Sequence, residues 1–310
     1  MLRGVFLWLS QRKGLFDLAK HNGFARRIAS RFVAGETIES AIHAARRLNQ
    51  RGISVSLDLL GESVANAAEA RLAAEEVTAT VDALAASRVD GNVSIKLTQM
   101  GLGIDDDLCS ENVCHVVEHA RERGVFVRID MEGSDYTQRT LDLFYEMLQP
   151  RFGNGTGVVI QSYLRRSAAD IEDLIRVQAR VRLCKGAYAE PATIAFQTRQ
   201  EVSDSFIRLL ERLLGAGDYP AIATHDDRLI EHALRFVEAN GIGAERFEFQ
   251  MLFGVRRDLQ QALRSAGYNV RVYVPFGTAW YPYLMRRLAE RPANVAFMVG
   301  SVLKETVSRR

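Results

Sequence analysis

A distorted (β/α)8 barrel of the TIM type, an α/β fold, is what the sequence predicts, and three observations lead to it. After Gly52 the chain holds eight short β-branched runs. Amphipathic stretches long enough for right-handed crossovers separate them. No Ser/Gly linker, low-complexity tract or composition break divides the roughly 250 residues they occupy, and eight alternations in that span are the count of a closed barrel. A doubly wound open sheet would usually stop at five to seven strands.

The strand runs are ISVSLDL, NVSIKLT, VFVRIDM, GVVIQSY, VRLCKGAY, PAIATHD, FEFQMLF and NVRVYVPFG. Helical stretches between them include SVANAAEARLAAEEVTATVDALAA, SENVCHVVEHARERG, TLDLFYEMLQP, SAADIEDLIRVQAR, DSFIRLLERLLGAG, DRLIEHALRFVEANG and RRDLQQALRSAG. Ahead of the first strand, GFARRIASRFVAG and TIESAIHAARRLNQRG read as helices punctuated by Gly23, Gly35 and Gly52. Residues 1–50 are therefore expected to form an N-terminal helical extension, and residues 51–310 the barrel catalytic domain.

Composition bounds the function classes. The 310 residues are 47% hydrophobic and 25% charged, values that exclude disorder, fibres and small disulfide scaffolds. Forty basic against 38 acidic residues leave a formal charge of +2, too little for a field that gathers nucleic acid. Three cysteines, Cys109, Cys114 and Cys184, are odd in number and suit a reducing cytoplasm. The opening MLRGVFLWLS meets Gln11, Arg12 and Lys13 too soon for a signal core, and no stretch is long enough to span a bilayer. The apolar tip leaves room for peripheral contact at the inner face of the cell membrane.

In a (β/α)8 barrel the site forms at the C-terminal ends of the strands. The polar residues there are Asp58, Lys96, Asp130, Gln161, Arg182 with Lys185, Thr224 with His225 and Asp226, Gln250, and Tyr273. Ionisable groups in a strand interior expected to be apolar cost desolvation unless they pair or bind something charged. Singly, each has a plain explanation. Asp58 and Asp226 suit helix caps, Lys96 and Asp130 suit an ion pair, Gln250 suits loop backbone, and His225 suits a satisfied core position. The helix after the eighth strand adds TAWYPYLMRRLAE, whose Tyr283, Arg286 and Arg287 reach one ligand together only if that helix lies across the barrel mouth. Two guanidiniums there would clamp a carboxylate, with Lys96 completing a pocket for a small anion.

Other chemistries fit less well. Neither a complete G-x-G-x-x-G nor a G-x-x-x-x-G-K-[ST] is present, which disfavours Rossmann-type nicotinamide binding and P-loop chemistry. His115, Glu118 and His119 have the H-x-x-E-H spacing of a zinc peptidase, but on a helix outside the barrel and away from the strand ends, so no metal is expected. Lys185 at a strand end also suits the Schiff-base lysine of a class I aldolase-like lyase, a reading that leaves the arginine pair and Gln161 without a role.

The stretches SIKLTQMG, VRIDMEGS, VVIQSYLRR, RVRLCKGAY, ATHD, FEFQMLFGVR, RVYVPFG and YLMRRLAERPANV occur in an order and spacing that resemble the bacterial monofunctional proline dehydrogenases. These are FAD-dependent enzymes of the proline oxidase family, and the resemblance covers nearly all of the chain after residue 50. It implies a distorted barrel whose last helix lies over the mouth. It also implies that Lys96, Arg286 and Arg287 hold the proline carboxylate, that Asp130 supports this basic cluster, and that Tyr273, Leu252 and Tyr283 wall the pocket. For the flavin, the resemblance places Arg182 beside N5 and Gln161 at the isoalloxazine edge. Lys185, Gly186 and Ala187 fall along the pyrophosphate, Thr224 and His225 after strand six, and Met131 at a backbone contact. Glu132 and Gln250 are further contacts it suggests. Asp226 departs from the asparagine common at its place.

The activity so implied is oxidation of L-proline to Δ1-pyrroline-5-carboxylate, the first step of proline degradation to glutamate. A hydride passes from C5 to flavin N5, Asp130 and Arg182 act at the reacting centre, and electrons leave to a quinone. A mouth rich in Arg and Lys would favour loss of the amine proton on or before binding. Hand-off of the product to a pyrroline-5-carboxylate dehydrogenase is the further partnership implied.

Overall fold

The computed structural model describes residues 29–61 and 64–290, with side chains in the last helix as far as Met285. The apolar tip, the helices expected before residue 29 and the side chains of Arg286 and Arg287 lie outside the described residues.

Eight parallel strands close into one barrel in sequence order. They are β1 (Ser54–Leu59), β2 (Gly91–Lys96), β3 (Val127–Asp130), β4 (Thr156–Gln161), β5 (Arg180–Cys184), β6 (Asp218–Ala223), β7 (Glu248–Leu252) and β8 (Val270–Phe276). Closure runs through β1 and β8, where Ser54 aligns with Arg271 and Leu59 with Phe276. Several runs read as strand end early: VRLCKGAY leaves the sheet after Cys184 and PAIATHD after Ala223. The residues released are those that form the mouth.

The helices are α1 (Ile38–Asn49), α2 (Ala67–Ser87), α3 (Asp106–Glu122), α4 (Ser134–Leu143), α5 (Ser167–Arg176), α6 (Arg199–Ala216), α7 (Asp227–Ala239), α8 (Arg257–Ser265) and α9 (Trp280–Glu290). After α4 the chain passes through a π turn (Phe144–Leu148) into a short helix (Gln149–Phe152). Local chemistry sets the starts. Thr37 opens α1 and Thr198 opens α6 through capping boxes, while Asn66 and Asp105 cap α2 and α3.

The seam between β8 and β1 is covered by α1, which packs on both strands. The helix that follows β8 is thereby free of the barrel flank. Its residues Trp280, Tyr281, Tyr283, Leu284 and Met285 instead form a cluster with Phe32, Val33, Leu60 and Val255. Leu60 and Val255 lie just past the ends of β1 and β7, so α9 sits at the mouth.

The interior departs from the apolar layers expected. Arg182 on β5 donates to Ser56 on β1 and Ser94 on β2, contacts that only inward-pointing side chains on opposite walls can make. Lower down, Arg271 pairs with Glu248 at 2.9 Å and Arg128 donates to the carbonyls of Val158 and Arg180. All are nearly sealed from solvent. Small residues at Ser56 and Ser94 leave the room that the Arg182 guanidinium fills, and most of the charged groups here find protein partners instead of water.

Candidate active site

The ends of β1, β2, β3, β5 and β8 converge on one ionic cluster. Lys96 closes β2 and donates to Asp58 Oδ1 at 2.8 Å, with Asp130 Oδ2 at 3.8 Å and the Tyr273 hydroxyl at 3.5 Å. Asp130 closes β3, in register with Lys96. It accepts from Arg182 Nη1 at 2.8 Å, Ser94 Oγ at 3.1 Å and Tyr273 OH at 2.7 Å. The Arg182 guanidinium also lies over the Tyr273 ring, 5.2 Å from its centre. Each cation thus has a carboxylate, and Ser94 and Tyr273 fix where those carboxylates point.

Burial shapes the protonation. It raises the Asp58 carboxyl above the ordinary carboxylate range, against the pull of Lys96, and one of its oxygens has no hydrogen-bond partner. Burial, then the negative charge of Asp130, pushes the Tyr273 phenol well up, so this hydroxyl keeps its proton and donates.

Beside the cluster, Gln161 ends β4 and donates to the Met131 carbonyl at 3.1 Å, leaving its own carbonyl oxygen buried and without a partner. Arg182 Nε is likewise buried and unpartnered. Past β5, Gly186 takes a φ of +103° with the Tyr163 ring so close that an added Cβ would lie 2.2 Å from it. Only glycine fits this turn, and the backbone there is bare of side chain. Lys185 donates to Asp226 at 2.7 Å, and Ala187 is exposed. Burial would raise the Asp226 carboxyl, but the hydrogen bond and charge of Lys185 hold it below the ordinary value. Thr224 Oγ1 accepts from the Asp226 amide. His225 Nε2 accepts from the Leu252 amide at 2.9 Å, so that nitrogen carries no proton. Leu252 and Tyr273 are register partners.

Several single-residue expectations change. Asp58 is not a helix cap: Asn66 caps α2, and Asp58 is the nearest counter-ion of Lys96. Asp226 does cap α7, through the Arg228 amide, while also holding Lys185. Gln250 satisfies the Glu248 carboxylate and not loop backbone. Glu132 is buried and accepts from both the amide and hydroxyl of Thr98. Tyr283 is buried in the α9 cluster. Of the zinc-like spacing, His119 faces Asp82 at 3.0 Å across α2 and α3. Ser56 and Ser94 are the site residues that sequence reasoning missed, while Asp58, already placed at the strand ends, turns out to be an ion-pair partner and not a cap. Two serines in SVSLDL and NVSIKLT, each two residues before the strand-end charge, were the available signal.

Comparison with known proteins gives the family and matches the fold. Residues 41–299 match the family described as proline dehydrogenase. Proline dehydrogenase 1 of Bacillus subtilis (strain 168) is 42% identical over 305 residues, covering 98% of this chain and 100% of the relative. Proline dehydrogenase of Deinococcus radiodurans is 42% identical over 307 residues, covering 98% of each. Among solved structures, proline utilization A of Bdellovibrio bacteriovorus inactivated by N-propargylglycine superposes with a TM-score of 0.82 at 26% identity. That match covers 90% of this chain and 34% of the other, so the present chain spans about a third of that protein. The lyase alternative for Lys185 has no counterpart in these matches, and Lys185 is ion-paired with Asp226. On the strength of the family match and of relatives aligned end to end, the chain belongs to the proline dehydrogenase family.

Proposed function

We propose that this chain oxidises L-proline to Δ1-pyrroline-5-carboxylate with FAD as its cofactor and passes the electrons to a quinone. The observation that carries the reading is the Lys96–Asp58–Asp130–Arg182–Tyr273 cluster at the mouth of the barrel, taken together with membership of the proline dehydrogenase family.

The residues present fit a flavin. Gln161 and Arg182 each keep a buried polar atom without a protein partner, suited to the polar edge of an isoalloxazine ring. The side-chain-free turn at Gly186 beside Lys185 suits a pyrophosphate approached by backbone. Lys185, Gly186, Ala187, Thr224, His225, Gln161, Arg182 and the backbone of Met131 would hold it. Bound FAD would supply the two-electron acceptor for the hydride that leaves C5 of proline.

The protein's own groups do the rest. Lys96, with Arg286 and Arg287, binds the substrate carboxylate and so sets the ring's position. Tyr273, Leu252 and Tyr283 wall the ring. Asp130 orients Arg182 and the Tyr273 hydroxyl at once, and Asp58 orients Lys96. Arg182 places a fixed positive charge where negative charge develops. The amine loses its proton on or before binding, in a pocket whose charge excess comes from Arg286 and Arg287, since Lys96 and Arg182 are matched by Asp58 and Asp130.

The product, a reactive cyclic imine, calls for a dehydrogenase to take it onward. The odd count of three cysteines, unevenly placed, supports a cytoplasmic location. Peripheral contact at the inner membrane face rests on the apolar tip at residues 1–10; among the described residues no helix is long and apolar enough to cross a membrane.

The test is the visible spectrum of the purified protein before and after anaerobic L-proline, with D-proline and L-lactate as controls. Bleaching of a flavin spectrum by L-proline alone is expected. A protein that cannot be loaded with FAD would overturn the reading.

A further inference from the structure

The 14 residues between β5 and α6, residues 185–198, form a loop stapled to the rest of the molecule on two sides. On the β4 side, Leu164 bridges to Ala195, the Phe196 amide donates to the Tyr163 carbonyl at 2.8 Å, and Arg165 Nε donates to the Ala192 carbonyl at 3.0 Å. On the β3 side, Glu190 reaches α4. Helix α4 begins after Gly133, which has no side chain to cap it; the Tyr136 amide donates back to the Gly133 carbonyl at 2.9 Å, and the Ser134 amide takes its acceptor from elsewhere. Glu190 supplies one from 56 residues away: its carboxylate accepts from the Ser134 amide at 2.8 Å and from the Ser134 hydroxyl at 2.5 Å. A carboxylate at a helix N-terminus is also favoured by the helix dipole.

We infer that Glu190 is a positioning residue for cofactor retention, a clasp that locks the loop after β5 onto the loop after β3. The inference rests on the reading that Met131 on one loop and Lys185, Gly186 and Ala187 on the other hold FAD. These two loops flank the end of β4, where Gln161 stands. The Glu190–Ser134 contact therefore straps together the two walls between which the flavin is held. Glu190 touches neither substrate nor reacting atoms. Opening the clasp should let the walls part and the flavin escape, while leaving the ionic cluster around Lys96 in place.

The experiment loads full-length protein with FAD and follows flavin fluorescence after dilution, for the parent, Glu190→Ala and Glu190→Gln. Nicking of residues 187–194 by a broad-specificity protease is measured in parallel. Glu190→Ala should release FAD at least tenfold faster and be cut faster in the loop. Glu190→Gln, which keeps an acceptor oxygen but not the charge, should restore part of both. Ser134→Ala combined with Glu190→Ala should add little to Glu190→Ala. A proline KM within threefold of the parent, measured with FAD in excess, separates loss of retention from damage to the substrate pocket. Release and nicking rates equal to the parent's would overturn the inference. Failure of the parent itself to take up FAD would instead overturn the cofactor reading on which it rests.

Discussion

Lys96 sits 1 Å closer to Asp58 than to Asp130, at 2.8 Å against 3.8 Å, although Asp130 is its neighbour in the strand register. The carboxylate that aligns with Lys96 along the sheet is engaged by Arg182, Ser94 and Tyr273, and the one that holds Lys96 comes from β1. Two buried acids divide two buried cations between them. The consequence is that Asp58, which by itself would suit a helix cap, decides where the Lys96 ammonium points.

Asp58→Asn should therefore weaken substrate binding more than chemistry. A hydrogen bond to a charged group contributes about 1.5–3 kcal/mol, so the KM for L-proline should rise roughly ten- to a hundredfold. The rate of flavin reduction at saturating proline should fall by no more than about threefold, because Arg182 keeps its own carboxylate. Steady-state and stopped-flow kinetics on the FAD-loaded variant distinguish the two effects.

Tyr273→Phe removes the donor that ties Asp130 Oδ2 in place but keeps the ring beneath the Arg182 guanidinium. The expected result is a fall in kcat/KM of about tenfold or more, with thermal stability within about 1 kcal/mol of the parent. Because burial and Asp130 hold the phenol well above its ordinary pKa, the parent's pH–rate profile should show no ionisation of Tyr273 below pH 10.

Gly186→Ala should be costly in a way no surface substitution is. The residue has a left-handed φ and its new methyl would meet the Tyr163 ring. Strain of about 1–3 kcal/mol is expected from the backbone alone. Purified variant should retain less FAD than the parent, measured as the ratio of flavin to protein absorbance. Pairing it with Tyr163→Leu should recover only the clash, not the backbone strain.

Deep in the barrel, Glu248→Gln tests the lower charge pair. Burial would raise the Glu248 carboxyl, but Arg271 more than offsets it and the value falls below the ordinary one. A carboxyl lowered on folding stabilises the folded state above its unfolded value, and that contribution fades as pH drops through the folded value. The variant should lose about 3–5 kcal/mol at pH 7, since Arg271 is left buried without its partner. The gap to the parent should narrow as the pH is taken below about 4.3, where unfolded glutamate protonates. Denaturant titrations across that range are the check.

Much of the barrel was legible because its period and its polar residues obey one geometric rule. Lys96 and Asp130 end their strands and Arg182 nearly ends its own, and the rule that sites form there brings them together, while Tyr273 reaches them from the middle of β8. Asp58 was read as a cap because capping and ion pairing use the same residue type after a strand, and only distance separates them. Ser56, Ser94 and Arg182 could not be matched from pattern, since their contact joins opposite walls of a closed sheet. The Glu190–Ser134 contact left no local signal at all, because a helix capped from another loop has nothing in its own flanking sequence to announce it.

The seam between β8 and β1 aligns residues 217 apart in the chain, Ser54 with Arg271 and Leu59 with Phe276, and α1 lies across it. A chain made from its N-terminus thus delivers the cover long before the edge it must cover. Until β8 emerges, α1 and β1 have an open, hydrogen-bond-hungry border beside them, and α9, which sits at the mouth, is made later still. Such long-range closure slows folding. A ribosome stalled before β8 would hold at most seven strands and an unclosed barrel, so translation itself is expected to pace the appearance of activity.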